Sequence, residues 1–288
     1  MALDLLVLRG LGLGDLLTGL PALRALRRAF PGHRLVLAAP EAYRELLGGE
    51  ADAWLDVRGP GPVPVTGCDV AVNLHGRGPE SVAALRAAGP RLLVSHTTGP
   101  PWNPAAHEVA RWCDLLGRYG IPADPADLRL GAHEGGGPIV VHPGAAFPAR
   151  RWPPERFADV AAALNAEGRP VVVTAGPGET DLARQVAGGL PVLTPTLTEL
   201  AGLVRRARLV ICGDTGVAHL AAAYGTPSVV LFGPTPPALW GPPPGPHRVI
   251  WHGRAGDPHG PAPDPGLLEI TVTEVLGAAR DRLEVSVA

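Results

Sequence analysis

The stretch LVICGDTGVAHLAAAYGTPSVVLFGPT, Leu209–Thr235, decides the fold of this chain. An apolar run rich in β-branched residues breaks at Gly213, and the polar triplet Asp214-Thr215-Gly216 follows. A helical pattern then runs to Gly225-Thr226-Pro227, and a second apolar run begins at Ser228. The order is strand, tight turn, helix, strand: the βαβ unit of a parallel sheet. A helix that opens directly off a buried strand presents unpaired N–H groups and partial positive charge, which suits a phosphate. The plainer alternative is an ordinary βαβ unit in which Asp214 only caps the helix.

The same alternation extends in both directions. Leu5–Leu8 reads as a first buried strand, Arg9–Asp15 as a glycine-rich turn, and Leu16, Leu17, Leu20, Leu23, Leu26 and Phe30 as a helix stopped by Pro31-Gly32. Strands are expected at Arg34–Ala38, Val70–Leu74 and Arg91–Ser95, with helices at Tyr43–Leu47, Ser81–Ala88 and His107–Tyr119. Such alternation predicts a parallel sheet covered on both faces. From Ile121 the composition turns to Pro, Asp and Gly as far as Gly135-Gly136-Gly137-Pro138, an irregular linker region. The expected domains are therefore 1–134 and 135–288. In the second, strands are expected near Ile139, at Pro170–Ala175 and at Val192–Leu193, with a helix at Leu197–Ala207 and a closing helix at Thr273–Leu283.

A chain of 288 residues fits two domains of roughly 100–150 residues each. Its 25 basic and 27 acidic residues are balanced, which argues against nucleic acid as a partner. Every basic residue is an arginine, so Schiff-base chemistry and a P-loop lysine are excluded, and any fixed positive charge offered to an anion is a guanidinium. Cys68, Cys113 and Cys212 lie far apart without CxxC spacing, so neither a zinc site nor a disulfide framework is expected, and a cytoplasmic location is. The N-terminal apolar run carries Asp4 and is too short for a signal peptide.

Chemistry concentrates at the expected C-terminal ends of strands. Gly10, Gly12 and Gly14 do not form G-x-G-x-x-G, so the first turn is no dinucleotide fingerprint. Its Asp15 is placed either to take a proton from a substrate hydroxyl or to cap the next helix. His75 follows the strand Val70–Leu74 and is read as a weaker site candidate or a turn residue. Arg24, Arg27 and Arg28 share one helix face, either solvated or turned to an anionic acceptor or the inner membrane surface. In the second domain, Arg151 sits in the turn after His142-Pro143-Gly144, placed to contact phosphate or to stack on Trp152. Glu179, in Gly176-Pro177-Gly178-Glu179, is placed to accept from a ribose or to start a helix.

The segment Leu209–Thr235, with Pro236, Trp240-Gly241-Pro242 and Arg248-Val249-Ile250, resembles the C-terminal signature of family 9 glycosyltransferases, the heptosyltransferase-like group. The match falls on Asp214, Thr215, Gly216, His219, Gly233, Pro234 and Thr235. Arg9 to Asp15 with Leu20-Pro21-Ala22-Leu23 resembles the family's N-terminal pattern, His142-Pro143-Gly144-Ala145 with Arg151-Trp152-Pro153 a second, and Gly176 to Glu179 its ribose loop. The resemblance implies a GT-B fold, α/β, with two Rossmann-like domains whose parallel sheets face a cleft, the acceptor on the N-terminal half and the donor nucleotide sugar on the C-terminal half. It implies an inverting transferase without metal or cofactor, moving a sugar from a donor such as ADP-heptose to a hydroxyl of a glycan or glycolipid. By matching position, Asp15 is the expected general base. Arg151, Glu179, Asp214, Thr215, Gly216, His219 and Gly144 would surround the donor, and Arg9 and His75 are candidates for acceptor or phosphate. Without a metal, charge on the leaving diphosphate must be met by a guanidinium and helix N-terminal amides, so the anionic Asp214 is expected at donor-sugar hydroxyls or as a cap. Ala145-Ala146 stands where many relatives carry Ser or Thr, removing one hydroxyl contact to phosphate. The expected closing helix would pack back on the first domain by analogy with GT-B proteins. Two rival readings are a donor-only epimerase or hydrolase and a degenerate nucleotide-sugar-binding relative.

Overall fold

The computed structural model describes residues 4–285. The chain divides into two compact units between Leu128 and Arg129, inside the segment read as the linker. Residues after the division are tied to the second unit: Leu130 N–H donates to Ala223 C=O, Glu134 N–H to Arg205 C=O and Gly137 N–H to Arg206 C=O.

In the first unit β1 (Asp4–Leu8), α1 (Leu13–Thr18), α2 (Leu20–Ala29), β2 (Arg34–Ala39), α3 (Arg44–Leu47) and β3 (Ala53–Asp56) come first. They are followed by β4 (Val70–Asn73), α4 (Pro79–Ala87), β5 (Leu92–Val94) and α5 (Glu108–Gly117). The sheet is parallel throughout, in the order β3-β2-β1-β4-β5. Leu5, Leu6, Val7 and Leu8 are all buried, because a central parallel strand is covered on both faces and so reads as a continuous apolar run. The strand β3 went unread in the sequence: its four residues, Ala-Trp-Leu-Asp, sit half-exposed at the sheet edge without a strong pattern.

One expected helix is two. The run from Leu16 to Phe30 breaks at Gly19, whose N–H closes a tight turn onto Leu16 C=O, and Pro21 has no N–H with which to continue the helical ladder. Gly19 also makes room for Arg9, since a Cβ there would stand 2.8 Å from Arg9 Cδ and Nε. The arginine face on α2 is paired with acids from distant segments. Arg24 pairs with Glu50 and Asp127, Arg27 with Asp52 and Arg28 with Asp127. These acids offset the charge of the face, while Arg27 stays half-exposed and Arg28 exposed, as the solvated alternative expects. Among the described residues no helix is long and apolar enough to cross a membrane.

The second unit contains β6 (Ile139–His142), α6 (Pro154–Ala166), β7 (Val171–Thr174), α7 (Thr180–Ala187), β8 (Val192–Leu193) and α8 (Leu197–Arg206). After these come β9 (Leu209–Gly213), α9 (Gly216–Tyr224), β10 (Ser228–Leu231), α10 (Pro237–Trp240), β11 (His247–Ile250), α11 (Pro265–Glu269) and α12 (Val272–Val285). Its parallel sheet runs β11-β10-β9-β6-β7-β8, the Rossmann order. The apolar face of α12 is part of the second domain's own core: Val275, Ala279 and Leu283 join Leu164, Ile211 and Leu231 there.

Trp152 anchors that core. It is fully buried, meets Phe157 edge-on at 4.9 Å and donates its indole N–H to Ile270 C=O at 3.1 Å. Trp152→Ala is expected to destabilise the protein by about 3–5 kcal/mol, the usual cost of emptying a large aromatic site. Chemical denaturation checks this, and a loss below about 1 kcal/mol would mean that the core closes over the cavity.

Candidate active site

An open α/β sheet binds ligands at the carboxyl ends of its strands, where the strand order reverses. In the first unit that point lies between β1 and β4, and the residues following them carry Asp15 and His75.

Asp15 lies half-buried in the first turn of α1. It is not the cap of that helix, since the N-cap is Gly12. Burial pushes the Asp15 carboxyl above the ordinary carboxylate range. The Arg9 guanidinium opposes this, Glu108 adds to it, and the Gly12 N–H favours the ionised form. A carboxylate so placed takes up a proton more readily than an exposed one, as a general base requires.

Arg9 is not an open ligand for acceptor or phosphate; it is 1% exposed and its nitrogens are committed. Nε donates to Asp15 C=O, Nη1 to Leu74 C=O, and Nη2 to Thr18 Oγ1 at 3.0 Å and Glu108 Oε1 at 3.2 Å. His75 is half-buried, with its N–H on Asn73 Oδ1 at 3.0 Å and a buried Nδ1 that has no hydrogen-bond partner. Burial and then Arg9 push its pKa below the usual histidine value, so the ring is neutral near pH 7 and open to a hydrogen bond at Nδ1.

In the second unit the order reverses between β6 and β9. The turn after β6 holds Gly144, Ala145 and Arg151, and Arg151 Nε donates to Ala145 C=O at 2.9 Å, which anchors the guanidinium at this turn. Glu179 immediately precedes α7 and folds its carboxylate back: Oε2 accepts the Gly176 N–H at 2.9 Å and lies 3.8 Å from His142 Nε2. His142 is buried, shares a hydrogen bond with Thr174 Oγ1 at 3.1 Å, and is held below its ordinary pKa by burial. Gly144 leaves the space that the carboxylate occupies, because a Cβ there would lie 2.1 Å from Glu179 Oε2.

The turn after β9 holds Asp214, Thr215 and Gly216. Asp214 is buried and does not cap α9; the N-cap is Thr215, and its side chain makes no capping bond. The Thr215 hydroxyl therefore takes none of the first-turn amides of α9, as the anion-binding expectation for this helix start requires. His219, one turn on, stands edge-on to Trp240 at 5.9 Å.

Two features escaped the sequence reading. Arg150 places Nη1 3.9 Å from Asp214 Oδ2, and its Nε is buried without a hydrogen-bond partner, so the turn after β9 has a guanidinium beside it that the motif match did not name. The Arg150-Arg151 dipeptide was the available signal. The other is Glu108, which in sequence looks like an ordinary acid at a helix start. Among the described residues, no three His, Cys, Asp or Glu side chains are grouped so as to hold a metal.

Residues 103–258 match glycosyltransferase family 9 (heptosyltransferase). Lipopolysaccharide heptosyltransferase 3 of Escherichia coli is 38% identical over 115 residues, which is 36% of this chain and 33% of that protein, so the match spans about a third of that relative's length. The solved glycosyl transferase family 9 protein from Veillonella parvula has a TM-score of 0.81 at 21% identity, covering 99% of both chains. The E. coli ADP-heptose lps heptosyltransferase II gives 0.77 at 20% identity, covering 99% of this chain and 100% of that one. At these identities the likeness is one of fold, and it is the GT-B class with two parallel-sheet Rossmann-like units.

Proposed function

Because this chain belongs to glycosyltransferase family 9, we propose that it is an inverting, metal-independent transferase. It moves a heptose or related sugar from a nucleotide sugar, ADP-heptose by analogy with its relatives, to a hydroxyl of a lipopolysaccharide-like glycolipid or glycan on the cytoplasmic side of the membrane. The observation that carries this reading is the placing of the residues. The switch point of the first sheet carries a half-buried carboxylate with raised proton affinity, and that of the second carries arginines and a helix start whose N-cap side chain makes no capping bond.

The acceptor hydroxyl gives its proton to Asp15, and its oxygen attacks the anomeric carbon from the side opposite the diphosphate. The bond from that carbon to the diphosphate oxygen breaks, and the leaving group departs with the electron pair. A single displacement of this kind inverts the anomeric centre. Arg151 and the first-turn amides of α9 meet the charge that develops on the diphosphate, stabilisation that acts most strongly as the bond breaks. Glu179, shaped by Gly144 and Gly176, accepts from the ribose hydroxyls, and Asp214 and His219 address the sugar.

The test is ADP release from ADP-heptose by the purified protein, with and without heptose-deficient lipopolysaccharide. Release that depends on the acceptor supports transfer. Equal release without it favours a donor-only enzyme, and binding of ADP-heptose with no release favours a degenerate relative. Arg151→Ala is expected to weaken ADP binding about tenfold, the worth of one charge-assisted contact. An unaltered dissociation constant in calorimetric titration would remove Arg151 from the diphosphate site.

A further inference from the structure

Under Asp15 lies a buried polar cluster that the reaction as described does not use. Arg9, just past β1, reaches three separate segments: α1, the residue after β4, and α5. It donates to the Asp15 carbonyl, to Thr18 Oγ1, to the Leu74 carbonyl past β4 and to Glu108 on α5, and its guanidinium carbon lies 5.0 Å from the centre of the Trp112 ring. Thr18 Oγ1 returns a hydrogen bond to Asp15 C=O at 2.8 Å, so the base's own carbonyl is held by two donors. Glu108 is equally committed. Besides Arg9 it accepts from Arg111 Nε at 3.1 Å and from Trp112 Nε1 at 2.8 Å. Gly19 keeps clear the space through which the Arg9 side chain passes.

A buried ion pair is a poor way to gain stability, because desolvation takes back most of the attraction. Ordinary packing at this place would serve the fold as well. What the pair does provide is direction. Arg9 bonds the Asp15 carbonyl in the first turn of α1, the Leu74 carbonyl just past β4 and Glu108 on α5, so that turn is tied to both neighbouring elements. The same two charges bear on the Asp15 carboxyl with opposite signs.

We propose that the Arg9–Glu108 pair is the positioning device for Asp15, clamping the base's turn to the neighbouring strand and helix and setting the charge environment in which it works. The proposal deepens the reading of Asp15 as general base and rests on it. Arg9 and Glu108 touch no substrate; they act through Asp15. The other titratable groups bearing on this cluster are Arg111, paired with Glu108; His96, lowered chiefly by burial, with Glu108 opposing and Arg111 adding; Tyr43, whose phenol is raised by burial and then by Asp15, with Arg58 beside it; and His75, which is lowered in part by Arg9.

The experiment follows Asp15 directly, by carboxyl 13C NMR of the full chain labelled at aspartate, with Asp15→Asn assigning its resonance. Glu108→Gln keeps the volume and an acceptor oxygen but removes a negative neighbour, so the Asp15 titration is expected to move to lower pH. Arg9→Met removes a positive neighbour and should move it to higher pH, while Arg9→Lys, which keeps the charge, returns it towards the native position. In parallel, kcat for ADP-heptose turnover is expected to fall about tenfold or more in Arg9→Met, as misplacing a reacting group does, with KM for ADP-heptose unchanged. A group that merely supports the fold would lower the melting temperature and leave both titration and kcat where they were, and that result overturns the proposal. If Arg9→Met does not fold, Glu108→Gln alone decides, since an unmoved titration in that variant is sufficient to overturn it. Should Asp15→Asn retain full transfer, the general-base reading fails, while the NMR titrations still report whether the pair governs Asp15.

Discussion

Asp15→Asn is expected to lower kcat by about 10²–10⁴-fold, the usual contribution of a general base, while ADP-heptose binds with nearly native affinity. The amide has the shape of the carboxyl group and can still accept a hydrogen bond from the acceptor hydroxyl, but it cannot take the proton. Donor-binding candidates such as Arg151 and Glu179 belong to the other compact unit and are not altered by the change. The pH profile gives a second reading of the same prediction. Burial raises the Asp15 pKa more than Arg9 and the Gly12 N–H lower it. A base works only when ionised, so activity is lost as pH falls through this raised pKa, and the acid limb of kcat should begin above the ordinary carboxylate range. In Asp15→Asn that limb should vanish from the residual rate. Native turnover in the variant would remove Asp15 from the chemistry.

Gly144→Ala is expected to raise KM for ADP-heptose about 10- to 100-fold, equivalent to losing one hydrogen bond to a charged group. A methyl group at this position would lie 2.1 Å from Oε2, 2.3 Å from Cδ and 2.4 Å from Oε1 of Glu179. That is the space the carboxylate fills, so Glu179 must swing away from the Gly176 N–H and from His142. Because the displaced group is the end of a flexible side chain, the fold should tolerate the change, and the melting temperature should fall little. Glu179→Ala is expected to match Gly144→Ala in KM, and the double variant to be no worse than either. Additive losses would show that Gly144 acts on the donor by itself rather than by shaping the seat of Glu179.

Much of the fold was legible because parallel sheets write themselves plainly. Buried central strands are unbroken apolar runs, and the turns between strand and helix are marked by glycine; Leu5–Leu8 and the stretch from Leu209 to Leu231 show both. The edge strand β3 and the break at Gly19 were not legible, since the first has too weak a pattern and the second interrupts a helical spacing that is otherwise continuous. Arg24, Arg27 and Arg28 were legible as a shared face but not as a neutralised one, because Glu50, Asp52 and Asp127 lie far from them in sequence.

Sequence by itself determined the family, the two Rossmann-like units and the motif positions around Asp15, Gly144, Glu179 and Asp214, because each depends on local order: a strand, a glycine turn and a helix start in succession. Only the tertiary structure decided what those side chains meet. It withdrew Arg9 from the surface and set it under Asp15 with Glu108, 99 positions away along the chain. It moved the cap of α9 from Asp214 to Thr215, paired Asp214 with Arg150, and seated Glu179 over Gly144. The physical reason is the same in each case. Local pattern follows from the conformational preferences of neighbouring residues, whereas the partner of a buried charge is chosen by whatever distant group the packing brings within hydrogen-bond reach.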